Sequence, residues 1–279
     1  MDGILTHYYF FKNSLKLIPS DIKKNLTFNN ELLFNLTTFN VAPKYTYLYN
    51  PFKRNKYHLY DDIYSDKFND YFTSVLVIMA KKNDYKKLLL VYSMVSYYVF
   101  NQELIKYIKA IKGENANIDL MLNNFDYYYL LKEENRDLSK TKITTLFKDL
   151  DYKNYYDELI HKLLVRHFNF FGSYAFYTKG YKRFKFFYSI TEKSGFLRFL
   201  TNKKKDISKY QKKLDEDIFN NQKKEYILDD KFQKYSFDEF VNITLDKINV
   251  YYDAINSYLF DNNEKKIRDI LNIPKERKI

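Results

Sequence analysis

Only four imidazoles are available in this chain to carry protons or bind metals: His7, His58, His161 and His167. There is no cysteine, so thiol nucleophiles, disulfides, iron–sulfur clusters and zinc–thiolate sites are excluded. His161 and His167 lie on one helical stretch but about 240° apart around its axis, so they do not share a metal and read as satisfied polar residues. His58 is followed by Asp61, Asp62, Asp66 and Asp70. Asp62, Asp66 and Asp70 step by four, which on a single helix makes a carboxylate row. Together with the two N-terminal imidazoles, it outlines a candidate metal set of His7, His58, Asp62 and Asp66. The plainer alternative is an acid-rich helix N-terminus, which the macrodipole favours.

A second ladder lies in "SYYVFNQELIKYI" (96–108), where Tyr97, Asn101 and Ile105 also step by four. Polar groups at this spacing on a buried helix are how helical metallohydrolases hold their metals, yet Tyr, Asn and Ile suit core packing equally well. Phosphate loops, dinucleotide fingerprints, nucleophile elbows and HExxH are all absent from the sequence, and five glycines leave no Gly-rich cradle.

The elements that must position these residues are helical almost throughout. The pattern begins around Tyr9, Phe10, Leu15 and Leu17, with Pro19 as a break and Ser20 as a new N-cap. A short helix is expected at 29–39 and a long loop over 40–57. Phe68, Phe72, Val75, Leu76 and Met79 share one face of a helix over 66–80. The next helix, 84–111, is the most apolar and is expected at the centre, ended by Gly113. Further helices are expected at 117–132, 140–149, 154–171 (closed by Gly172), 174–191, 205–218, 237–260 and 263–271. The helix at 237 should start with a capping box of Ser236 and Glu239. The segment 219–235 reads as a polar connection, and no stretch alternates as a strand. The expectation is one all-α domain over 1–279, with nine or ten helices around 84–111.

Composition and charge bound the function class. Apolar content of 46% and charged content of 29% belong to a folded chain. The thirty Tyr and 25 Phe share A/T-rich codons with Lys, Asn and Ile, which accounts for part of that bias. The first residues lack the continuous apolar stretch of a signal peptide, and the longest apolar run falls short of a membrane span. A cytoplasmic location is therefore expected, with peripheral membrane attachment as an extension. The net charge is +12, and between Phe176 and Lys213 twelve Lys/Arg face two acids. Lys179, Lys182, Arg183, Lys185, Lys203, Lys204 and Lys205 form the candidate patch. Its partners by charge are anionic lipid, a phosphate-bearing small molecule or, second to these, nucleic acid. A merely solvated lysine surface explains it as well.

Six short stretches, in order, resemble the bacterial zinc-dependent phospholipase C family, in particular its small cytoplasmic members. "THYYF" (6–10) resembles the family's A/T-H-x-x-F, and "APKYTYLYNP" (42–51) its G-P-D-I-L-F-Y-Y-K-P loop. "IYSDKFNDYF" (63–72) resembles M-H-x(6)-F-F, and the 96–108 stretch resembles C-H-Y-x-L-D-x-x-x-H-P-Y-I. "FGSYAFYTKGYKRFKFFYSI" (171–190) resembles the run from M-K-x-F to F-R-Y-D. "NNQKKEYILD" and "YSFDEF" (220–229, 235–240) resemble N-x-x-H-K-E-W-x-x-P followed by S-F-x-E-L.

The resemblance implies an all-α bundle and a site of zinc ions that activate water on a phosphodiester. It also implies where the ligands belong. One histidine is kept, as His7. The loop aspartate falls on Lys44, the next histidine on Tyr64, and the central helix ligands on Tyr97, Asn101 and Ile105. The following helix has no histidine, although Asp119 and Asp126 are near the expected acidic position. One imidazole does not hold a multi-zinc cluster. The expectation is a degenerate relative, without catalytic residues or metal, whose Lys44 suits a phosphate as a point charge. A hydrolase with zinc on a rebuilt site is the alternative.

Overall fold

A computed structural model describes residues 3–26, 28–45, 59–82, 85–135, 158–169, 176–192, 224–228 and 231–272. The expected helices at 140–149 and 205–218, together with His58 and Lys203 to Lys205, lie outside the described residues. Eleven α-helices are present among the described residues, against the nine or ten expected. They are α1 (Ile4–Ser14), α2 (Ser20–Lys23), α3 (Asn30–Val41), α4 (Leu59–Ile63), α5 (Phe68–Lys82), α6 (Tyr85–Lys112), α7 (Ile118–Glu134), α8 (Glu158–Phe168), α9 (Phe176–Glu192), α10 (Phe237–Asp261) and α11 (Glu264–Leu271). Short 3-10 turns occupy Leu15–Leu17 and Ala42–Tyr45. The fold is mostly helical.

Helix ends follow local chemistry. α10 opens on the full capping box, with Ser236 Oγ accepting from the Glu239 amide and Glu239 accepting from the Ser236 amide. α6 ends where Gly113 takes φ +84° and its amide returns to Lys109 O, a conformation that favours glycine. Two boundaries differ from expectation. Pro19, not Ser20, is the N-cap of α2, and no side chain caps that end. α8 ends at Phe168 because Asn169 turns left-handed at φ +51°, before Gly172 is reached. Asparagine tolerates that conformation by bonding its own backbone, a signal easily passed over when a glycine follows.

The largest correction is a β-hairpin where a polar connection was expected. Strands β1 (Lys224–Leu228) and β2 (Lys231–Tyr235) pair antiparallel, with Leu228 opposite Lys231 in the register. Glu225 stands opposite Lys234 and Ile227 opposite Phe232 in the register. Five residues are too few for period-two alternation to stand out. β1 lies along α6, and β2 leads into α10. In addition, α4 and the Ala42–Tyr45 turn occupy parts of the stretch around the expected loop.

α1 packs on α3, α6, α7 and α10, while α6 packs on α1, α3, α5, α7 and α10. Every residue of α1 from Ile4 to Phe11 is buried, so these two turns are surrounded on all sides, and only Lys12 is exposed near the end of the helix. The aromatic bias becomes core. Phe10 stacks on Phe100 at 3.9 Å between ring centroids, Phe68 on Tyr98 at 3.9 Å, and Tyr107 on Phe240 at 4.4 Å. Such offset stacks add to the burial of the rings themselves. The face of Phe68, Phe72, Val75, Leu76 and Met79 on α5 is buried as its spacing requires. Among the described residues no helix is long and apolar enough to cross a membrane.

Candidate functional site

His7 is buried, 2% exposed, in the first turn of α1. Its helix starts on Gly3 at φ +60°, and a Cβ there would come within 3.0 Å of the Leu122 side chain. Gly3 offers no side-chain cap, so the end is capped from outside. Asp126 on α7 accepts from the Thr6 amide at 2.8 Å and from Thr6 Oγ1 at 2.7 Å. A carboxylate at a helix N-terminus meets both the open amides and the positive end of the dipole. His7 Nδ1 lies 2.8 Å from Gly3 O. Because a carbonyl only accepts, Nδ1 carries the proton, and in the neutral ring the lone pair is on Nε2.

From His7 a chain of contacts runs outward. The imidazole stacks on Tyr97 of α6 at 4.4 Å and meets the edge of Phe100 at 5.3 Å. Tyr97, 4% exposed, shares a 2.5 Å hydroxyl–hydroxyl bond with half-buried Tyr60 of α4. Lys44 Nζ, on the exposed side of the Ala42–Tyr45 turn, sits 5.8 Å from the Tyr60 ring centre. Tyr64 packs 5.0 Å from Tyr97 and 5.1 Å from Tyr60. Its hydroxyl donates to Asn40 Oδ1 at 3.0 Å, while Asn40 Nδ2 donates to Ser93 Oγ at 2.8 Å and Leu36 O at 3.0 Å. Burial, with Tyr60 and Tyr71 nearby, pushes the Tyr64 hydroxyl well above the usual tyrosine range.

The structure thus brings together His7, Lys44, Tyr64 and Tyr97 of the expected set. Asn101 and Ile105 continue the same face of α6 but are only half-buried, and Asn101 makes no side-chain hydrogen bond among the described residues. The ladder therefore leaves the cluster after its first rung. Asp126 joins the neighbourhood through Thr6, whereas Asp119 is exposed in the first turn of α7.

Zinc, which the resemblance implies, does not fit the donors present. The cluster has one imidazole. The Tyr60 and Tyr97 hydroxyls are bonded to each other, and Tyr64 holds its proton against Asn40. The carboxylate row also dissolves. Asp62 lies on α4, Asp66 in the following turn and Asp70 on α5, so they share no helix face. The reason is a break at Tyr64–Lys67 that four-residue spacing does not reveal. Among the described residues no three His, Asp or Glu side chains gather as a metal would require. His167 instead bonds Ser74 Oγ at 2.9 Å.

The basic patch enters the same region through α9, which packs on the Ala42–Tyr45 turn and on α3. Phe184 meets the Tyr45 ring at 4.8 Å, and the Tyr181 hydroxyl donates to Asn35 Oδ1 at 3.0 Å. These contacts bury the Tyr181–Phe184 side. Lys179 and Lys182 are exposed, Arg183 and Lys185 are half-buried, and Phe186 stands 61% exposed beside them. The turn bearing Lys44 and the basic helix are therefore neighbours.

Sequence reasoning missed Tyr60, Asn40 and Ser93. Tyr60 sits four residues before Tyr64 on what becomes α4, a spacing that pointed to it. Nothing in the sequence pointed to Asn40 or Ser93, whose partners are far along the chain. Comparison with models of protein families, with curated proteins and with solved structures finds no match for this chain.

Proposed function

We propose that this chain is a binding protein on a phospholipase C-like helical scaffold centred on α6, with its zinc ligands replaced, and that the Lys44–α9 face takes phosphate-bearing lipid head groups at an anionic membrane surface. One observation carries the reading. His7, Lys44, Tyr64 and Tyr97 lie at four separated positions where the resemblance expects metal ligands, and they converge on one cluster. Their chemistry has turned from coordination to packing and hydroxyl pairing. Lys44 remains as a cation at the outer end, next to a basic helix with an exposed phenylalanine. A lysine-rich face with an aromatic side chain at its level is how helices rest on anionic interfaces.

The test has two arms. Protein equilibrated with zinc and then desalted is expected to hold far less than one zinc per chain and to show no zinc-dependent phosphodiesterase activity. About one zinc or more per chain, with hydrolysis, overturns the non-catalytic reading in favour of a rebuilt metal site. Phosphatidylserine vesicles should retain the protein at low salt and release it at high salt. Replacing Lys179, Lys182 and Arg183 by Gln should weaken retention roughly 100-fold, from about 1 kcal/mol per cation. Retention on heparin with none on vesicles favours nucleic acid and overturns the membrane assignment.

A further inference from the structure

A separate cleft of about 470 Å³ opens between α2 and the last turns of α10, away from the tyrosine cluster. It has the size of a small-molecule site. Two polar side chains at its floor are unusual. Asn256 is 8% exposed and Ser257 6% exposed, and both line the cleft. Asn256 Oδ1 is taken by the Tyr92 hydroxyl, but its Nδ2 donates to nothing among the described residues. Ser257 Oγ likewise has no partner among the described residues, and both atoms are open to the cleft rather than sealed in the core. These side chains are held on largely buried residues yet turn their donors to the cleft, where water or an acceptor from outside meets them.

The walls specify the rest of the ligand. Asp21, Asp253 and Asp261 line the cleft, and this acidic set stands out on a chain of net charge +12. Asp21 and Asp261 form no ion pair among the described residues, whereas Asp253 Oδ2 holds the Lys266 ammonium at 2.7 Å. The negative end of the α10 dipole adds to them. Phe260 presents a 39% exposed ring on the wall, opposite Ile22 of α2. Carboxylates for a cation, planar amide and hydroxyl groups for hydroxyl oxygens, and an aromatic face for an apolar ring face describe one chemistry. We propose that this cleft binds a hydroxylated cyclic amine, an amino sugar, with its ammonium at Asp253 in place of Lys266, its hydroxyls on Asn256 and Ser257, and its ring on Phe260.

Glucosamine is the probe, titrated into the full-length ¹⁵N-labelled protein, with glucose and spermidine as comparators. Glucosamine is expected to saturate shifts of the Asn256 side-chain amide and the Ser257 backbone, and to bind more tightly than either comparator. Asp21→Asn, Asp253→Asn and Asp261→Asn combined should weaken it by roughly tenfold, and these exposed positions leave the fold intact. Ser257→Ala should weaken it without changing the thermal midpoint. Lys266→Gln, which removes the internal competitor, should tighten it severalfold. Unsaturable shifts, spermidine binding more tightly than glucosamine, or affinity unchanged or lower in Lys266→Gln would each overturn the proposal.

Discussion

Two tyrosine networks hang on α6, about 140° apart around its axis. The first joins α6 to α1 and α10. Tyr92 donates to Asn256, the Tyr252 hydroxyl pairs with Ser14 Oγ at 2.8 Å, and the same hydroxyl reaches Tyr92 O at 3.3 Å. The second joins α6 to α3, α4 and the turn of Lys44, through Tyr97, Tyr60, Tyr64, Asn40 and Ser93. The residue types are nearly the same, yet the networks end differently. The first ends at Asn256, which accepts from Tyr92 and lines a cleft with its amide nitrogen unbonded among the described residues. The second grades outward, from buried His7 through Tyr97 and Tyr60 to an exposed lysine. A phenol buries its ring at little cost wherever its hydroxyl finds a partner, so what surrounds the last partner decides whether the network is only core.

The comparison can be broken first with alkali. Burial raises the hydroxyls of Tyr64, Tyr71, Tyr92, Tyr129 and Tyr252 above the usual tyrosine value of 10.0, and Tyr8 is raised to about 12. A group raised in the folded state keeps its proton there while the unfolded chain loses it. The stability these groups supply is therefore full below pH 10 and falls as pH climbs beyond it. Tyrosinate absorbance and loss of helical circular dichroism should rise together in one cooperative step above that pH. Tyrosinate appearing stepwise, with the helix signal intact, would show that water reaches both networks.

Next in size are single hydroxyl deletions in the first network. Tyr252→Phe strands part of Ser14, which is fully buried, and should cost about 1–3 kcal/mol in urea unfolding. Tyr92→Phe should cost a similar amount, and because the Tyr92 and Tyr252 rings touch at 4.6 Å between centroids, the double variant should depart from the sum of the single costs. Tyr97→Phe in the second network should cost only about 0.5–1 kcal/mol, because Tyr60 is half-buried and can turn to water. Equal costs for Tyr252→Phe and Tyr97→Phe would erase the distinction between the networks. Smallest of all, Asn101→Ala should stay within about 0.5 kcal/mol of the parent, because its amide is bonded to nothing among the described residues.

Much of the helix layout was legible, since an apolar face repeats within a few residues and needs no distant partner. Phe68 to Met79, the α10 capping box and Gly113 all follow from local rules. The hairpin at 224–235 was not legible, because five-residue strands carry too little period. At the candidate site, motif order marked His7, Tyr97, Asn101 and Ile105 alike, and nothing in it told which of them stay buried together. In the structure that face of α6 rises toward solvent before Ile105.

By itself, then, the sequence determined a mostly helical chain without thiol chemistry, with its positive charge gathered in one basic stretch. These properties are sums or short periods along the chain. Tertiary structure alone decided which hydroxyls meet. Tyr64 finds Asn40 across 24 positions, Tyr97 finds Tyr60 across 37, and Tyr92 finds Asn256 across 164. No periodicity encodes such pairs, because each is chosen by how the helices pack and by the need of every buried polar atom for a partner. The same packing set α9 against the turn of Lys44 and left Asn256 and Ser257 facing an open cleft.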